Sequence, residues 1–267
     1  MPQTVPVPKQ GQKSPTRTPA FARVIPHATL NYRDPFHWMH LGVRDFIAAP
    51  MVSLFYGFCF TIASMAIWAA VFIHGTHLVI LPALVVFMLI GPFLATGLYD
   101  VSWQLERGKK PNLFHSARAI RRNGVSEWGF AILLAVMMIF WMRVAAMIHA
   151  LYPINQNAHF EQFLPFLSLG TLFGMLFTVS VFAISAFSIP VMMERRVDIM
   201  TAISTSISAV YHNAGVMTVW ALIISACVVV GFATAGIGML VIMPVLGYAT
   251  WHGYIRTIKT KRPRRFE

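Results

Sequence analysis

Residues 128–151 read WGFAILLAVMMIFWMRVAAMIHAL. The stretch contains no acid and one basic residue, Arg143. A helix rising about 1.5 Å per residue needs roughly 20 such residues to cross the hydrocarbon core of a bilayer. Five more apolar runs lie at about 50–73, 78–104, 164–190, 214–232 and 235–256. Across 267 residues, 57% are hydrophobic and only 11% charged, against roughly 25% charged in a soluble domain. The sequence predicts an all-α fold: a polytopic membrane helical bundle with six transmembrane helices.

A net charge of +12 would point to nucleic acid in a soluble chain, but its distribution excludes that reading. Of 21 Lys and Arg, all except Arg143 fall before the first run, in the loops after the second and fourth runs, or from Arg256 onward. The loops IHGTHL and GFATAG carry no charge, and YPINQNAHFEQ carries only Glu161. Lys and Arg in short loops stay in the cytoplasm, so both termini and the basic loops are expected inside. There the basic segments also meet anionic lipid headgroups. Residues 1–35 are basic and rich in proline and are expected to be a disordered tail. Residues 36–258 form the expected membrane domain and 259–267 a second basic tail. No cleavable signal peptide is expected. Cys59 and Cys227 both lie inside apolar runs, where thiols serve as small hydrophobes.

Three stretches look alike when set in parallel: FHWMHLGVRDFIAAP, NLFHSARAIRRNGVSEW and DIMTAISTSISAVYHNAG. Each is short and amphipathic and precedes a pair of apolar runs. The second run of each pair ends comparably, in GPFLATGLYDVSWQLER, SVFAISAFSIPVMMER and MPVLGYATWHGYIR. The pattern predicts an interfacial helix plus a helical hairpin, used three times in parallel. Gly170, Gly174, Gly231, Gly236, Gly238 and Gly247 are expected to let helices approach closely, and Pro92 and Pro244 to kink theirs.

At APMVSLFYGF, GPFLATGLYDVSWQLERGKKP, ERRVD and MPVLGYATWHGYIR, the chain resembles a family of predicted bacterial integral membrane proteins, domain-of-unknown-function family 2189. The resemblance covers most of residues 38–258. It implies a bacterial inner membrane and six helices, and it implies no activity, cofactor or substrate. Family members typically carry His where this chain has Tyr248, so no histidine role carries over to that position.

Several side chains are candidates for function. Arg143 lies about 5 Å outward of the centre of its run, and a charge at that depth is costly. It is expected either to snorkel to the outer interface and bond loop carbonyls or Glu161, to hold an anionic ligand or lipid, or to contact another subunit. Its small neighbours Ala135, Ala146 and Ala150 suggest a face packed against another helix. His74, His77, His149 and His159 cluster on the outer side near a methionine-rich half-run, a donor set that suits copper. A haem on two of them, with Arg143 at its propionates, is a second option, and solvated loop histidines binding nothing a third. Asp100 and His252 occupy matching positions in the repeat, where an Asp–His pair could relay protons or simply cap helix ends.

No phosphate-binding glycine loop, nucleophile elbow, HExxH, CxxC or dinucleotide fingerprint occurs. None of the nine acids sits near the centre of a run, where ion-coupled transporters usually place one. The expectation is a protein that is not an enzyme: a scaffold, assembly factor or accessory subunit of a larger membrane complex. A channel or transporter for a small solute or metal ion is the alternative.

Overall fold

The computed structural model describes residues 24–74, 77–119, 124–151 and 160–258. Among these, ten helices follow one another: α1 (Asp34–Ala48), α2 (Pro50–His74), α3 (His77–Glu106), α4 (Leu113–Ala119), α5 (Gly124–Leu151), α6 (Phe160–Ser185), α7 (Ser188–Arg195), α8 (Ile199–His212), α9 (Ala214–Ala233) and α10 (Met239–Thr257). Five of the six apolar runs fall on a single helix each, and the run at 164–190 on two. Among the described residues, four segments are long and apolar enough to cross a membrane: Pro50–Ala69, Gly124–Leu151, Leu164–Arg195 and Ala214–Ala233. The three amphipathic stretches hold α1, α4 and α8, which gather at one end of the bundle, called the base below.

The buried residues of α1 are Pro35, Trp38, Gly42 and Asp45, spaced by three and four, so a single helical face is covered. That face lies along α10. The two backbones nearly touch: a Cβ on Gly42 would sit 2.5 Å from the Val245 carbonyl oxygen and 3.0 Å from the Ala249 nitrogen. Trp38 packs edge-on to Trp220 of α9, with ring centroids 5.5 Å apart. Proline at residue 50 disfavours helical geometry at Ala49, whose φ is −133° and ψ 57°. The chain turns there from α1 into α2. A second backbone approach occurs where a Cβ on Gly57 would strike the Leu240 carbonyl, joining α2 to α10.

Two expectations are corrected. The run at 164–190 is not one helix, because α6 ends at Ser185 and α7 starts at Ser188. Pro190 cannot donate to a continuing helix but is at home in a first turn. Ser206 of α8 takes up two backbone groups at the break, accepting from Phe187 N–H (3.1 Å) and donating to the Ala183 carbonyl (2.8 Å). The glycines expected to mediate close packing behave differently from one another. A Cβ on Gly170 would meet nothing within 4 Å, one on Gly174 only the Trp141 ring, and one on Gly231 only the Met239 side chain. Gly236 does behave as expected, a Cβ there lying 3.4 Å from the Met65 nitrogen of α2, and one on Gly247 would press on the Leu98 side chain. The tightest backbone contacts, at Gly42 and Gly57, lie outside the expected set.

The base is stitched by the segment before α1. Ala28 N–H donates to the Thr257 carbonyl at 2.7 Å, beside a His27–Ile258 bridge. Ile25 N–H donates to Thr205 (3.2 Å) and Leu30 N–H to Asn213 (2.9 Å), whose amide donates back to the Ala28 carbonyl. Asp198 caps α8 through Thr201 N–H at 3.0 Å. The Thr201 side-chain and backbone bonds hold the Asp198 carboxyl below its usual range.

Gly42→Ala should therefore lower the thermal stability of the detergent-solubilised protein by about 1–3 kcal/mol, the cost of overpacking. Gly170→Ala, made into open space, should leave the melting temperature unchanged or slightly raised.

Candidate functional site

The polar residues of the base form three buried clamps between helices. In the first, Asp45 of α1 and His252 of α10 meet with Oδ2 and Nε2 2.7 Å apart. Ser102 of α3 donates to the same Asp45 oxygen at 2.7 Å. Glu106 Oε1 lies 3.8 Å from the other ring nitrogen of His252, and the exposed Arg44 lies 3.7 Å from Asp45. Asp45 is 3% and His252 7% exposed, so one imidazole is enclosed between two carboxylates. Close by, the Tyr248 and Ser53 hydroxyls bond at 2.7 Å.

In the second clamp, Asp100 Oδ2 is 2.7 Å from both Gln104 Nε2 and His115 Nδ1. Gln104 in turn accepts from Asn112 N–H, at 3.0 Å. This ties α4 to the end of α3. The His115 ring stacks parallel to Trp103, and the Arg107 guanidinium lies 4.6 Å from the centre of the same indole, within cation–π range. Gly108, at φ +66°, makes the left-handed turn that ends α3, a conformation glycine adopts without a Cβ penalty. In the third clamp, Tyr254 of α10 donates to Glu194 of α7, and Arg195 Nε donates to the Tyr254 oxygen at 3.3 Å.

The chemistry of this arrangement is that of closure. Each carboxylate takes donors from a different element, which satisfies a charge too costly to bury alone. Asp100 and His252 are not paired with each other, as the sequence suggested they could be. Asp100 binds within α3 and to α4, and His252 binds to α1. Asp45 was not singled out in the sequence, although it lies in the i, i+3, i+7, i+10 series of buried positions of α1. A charged residue on an otherwise apolar helical stripe is a signal that a partner waits across the interface.

Arg143 lies away from the base, exposed on α5, and among the described residues it has no hydrogen bond or ion pair. Ala135 is buried, whereas Ala146 and Ala150 are exposed, so among the described residues no helix covers that end of the face. Burial in α5 concentrates toward the base, at Glu127, Phe130, Ala131, Leu134 and Ala135, with Ile148 beyond. Glu127 is 1% exposed, and its carboxyl lies beside the Thr96 hydroxyl, which donates to the Pro92 carbonyl at 2.9 Å. Its place in the first turn of α5 sets it against the positive end of the helix dipole.

His149 is exposed and meets Phe166 edge-on, with centroids 6.0 Å apart. His159 lies outside the described residues, as do the side-chain positions of His74, His77 and Glu161. Among the described residues, no group of three or more His, Cys, Asp or Glu is placed to hold a metal ion.

A family model described as a predicted integral membrane protein, domain-of-unknown-function family 2189, matches residues 80–194. This is an integral membrane protein. The family is the one the motifs resemble, over a shorter stretch than 38–258. GPFLATGLYDVSWQLERGKKP lies inside the match and ERRVD at its end, whereas APMVSLFYGF and MPVLGYATWHGYIR fall outside. No curated protein and no solved structure matches the chain.

Two measurements probe the base of this membrane protein. His252→Leu strands the Asp45 carboxylate and should cost about 3 kcal/mol in detergent unfolding. Adding Asp45→Asn to that variant should recover on the order of 1 kcal/mol, because the stranded charge is gone. A second test uses pH. Burial, and then the neighbouring His212, hold the His27 imidazole below its ordinary value. The docked state therefore takes up a proton less readily than the undocked one. His27's contribution to docking is full above the ordinary histidine value, about 6.5, and is lost as pH falls through the lower, docked value. Amides of residues 24–30, corrected for intrinsic rates, should exchange faster at pH 5 than at pH 7.5, and His212→Ala should narrow that difference.

Proposed function

We propose that the protein is a non-catalytic scaffold, assembly factor or accessory subunit of a larger membrane complex. The observation that carries this reading is the exposure of its spans. In the apolar 18-residue stretch of each candidate span, between 17% and 33% of positions are buried inside the chain, leaving the others wholly or partly open to lipid or partner proteins. The polar residues, by contrast, are spent on internal clamps. A transport path through Arg143, Asp100 and His252 needs those side chains to face one cavity. Asp100 and His252 are instead enclosed by different partners, and Arg143 stands apart on the outside of α5.

On this reading the chain sits in a bacterial inner membrane with six crossings and with the base on the cytoplasmic side. The concentration of Lys and Arg in tails and loops at that end supports the orientation, and it suits contact with anionic headgroups. The threefold repeat is part of the same proposal. α1 rests on α10, α4 on α3, and α8 on α6 and α7, so each short helix lies on the returning helix of another unit in cyclic order. That arrangement is what three copies of one unit would build around a common axis.

Purification of the full chain from its native membrane in mild detergent tests the proposal. A particle well above the mass of one chain, with a second membrane protein in fixed stoichiometry, is the expected result. A lone monomer that conducts solute or metal ions after reconstitution into liposomes would replace it with the transporter reading.

A further inference from the structure

The exposed side of α5 forms a continuous stripe: Ile132, Val136, Phe140, Arg143 and Met147, each separated from the next by three or four residues. The apolar members are 54–65% exposed, and Ala146 and Ala150 lie open beside them. We propose that this stripe is the docking face for a transmembrane helix of a different protein, one that carries an aspartate or glutamate at the depth of Arg143. The inference rests on the accessory-subunit reading and names its surface.

Depth makes the guanidinium the deciding group. Arg143 lies about 8 Å from the middle of α5 at 1.5 Å per residue, whereas the hydrocarbon half-thickness is about 15 Å. It therefore sits within the apolar layer on a face that its own chain leaves open. Snorkelling to the nearer surface runs against helix geometry, because Cα–Cβ bonds tilt toward the helix N-terminus. Arg143 is in the C-terminal half of α5, so its stem starts out toward the bilayer centre. A phospholipid phosphate lies in the other direction.

A carboxylate at the same level is the complement that satisfies the charge. Among the described residues this chain has no candidate to offer. Its acids lie at the base, in the C-terminal tail, or at Glu161 near the opposite end. A second copy packed in parallel about this stripe would place Arg143 against Arg143. Ala146 and Ala150 supply the small-residue spacing that lets a neighbouring helix come close.

The experiment places a benzophenone amino acid at Phe140 in the stripe, or at Leu172 on the exposed side of α6, in the full-length protein in its native membrane. After irradiation, adducts are identified by peptide mass spectrometry. The expected product at position 140 is one membrane protein, cross-linked through a transmembrane peptide containing Asp or Glu. Arg143→Gln should reduce that adduct roughly five- to tenfold, within the range of helix coupling energies in membranes. Arg143→Lys should preserve most of it, and Arg143→Glu paired with acid→Arg in the partner should restore it.

Adducts with phospholipid alone, with a second copy of this chain, or with a protein whose yield ignores Arg143→Gln would overturn the proposal. So would equal loss on Glu161→Gln, which would place the ion pair inside the chain. A partner captured from Leu172 with only lipid at 140 would remove this docking face and leave the accessory role standing. Protein adducts at neither position, with a lone monomer in mild detergent, would remove both.

Discussion

Enclosing charge without water is the constraint on which the base depends. Asp45, Asp100 and Glu194 all lie in the buried layer where the short helices meet the long ones. Each is tolerable only because another element supplies a donor within bonding distance: His252 and Ser102, His115 and Gln104, or Tyr254. Apolar packing fixes which faces come together, but it is non-directional. A hydrogen-bonded carboxylate demands one geometry, so the clamps select one arrangement among many that apolar helices could adopt. In this respect the base and the spans have different physics, with a specified polar layer at one end and permissive apolar surface along the rest.

The short helices translate that polar layer into architecture. α1 is amphipathic with a narrow buried stripe, and its glycine lets the backbone settle onto α10 closely enough for Asp45 to reach His252. α8 does a related job by a different means, bonding through Ser206 to backbone groups left open where α6 gives way to α7. α4 uses His115 against Asp100 and Ser116 against Tyr56, the latter at 2.9 Å. Three sequences with little identity thus dock short helices onto long ones with locally available polar groups.

Much of the helical content was legible from composition and run length, because apolar stretches long enough to span a bilayer carry that information locally. The break before Ser188 was partly legible from Pro190, but the hydroxyl that stabilises it comes from Ser206, and no window around the proline contains it. The clamps were less accessible still. Asp100 and His252 were visible as polar residues at helix ends, but their partners depend on which helices become neighbours. Asp45 and His252 are 207 positions apart, and no periodicity links them. Glycines show the same limit: Gly42 and Gly57 matter because a backbone passes beside them, while Gly170, in an equally suggestive sequence, faces open space. Arg143 was conspicuous from the start, since a lone cation in an apolar run needs no tertiary information to stand out. Which way it faced required the structure.

The stitching of residues 24–30 and α1 onto α8 and α10 also governs the order of assembly. During synthesis α1 emerges with Asp45 and Trp38 facing no partner, and α10 follows only after the other nine described helices. At translation rates of about 5–20 residues per second the delay is roughly 10–40 s. Through that interval the nascent chain carries an amphipathic helix whose main native berth, α10, does not yet exist. Membrane insertion can proceed helix by helix, but the polar layer cannot close before the last one arrives. Truncation within α10 would therefore disable α1 as surely as α10 itself, since residues 24–30 and α1 have their bonds to Thr257, Ile258 and His252 there.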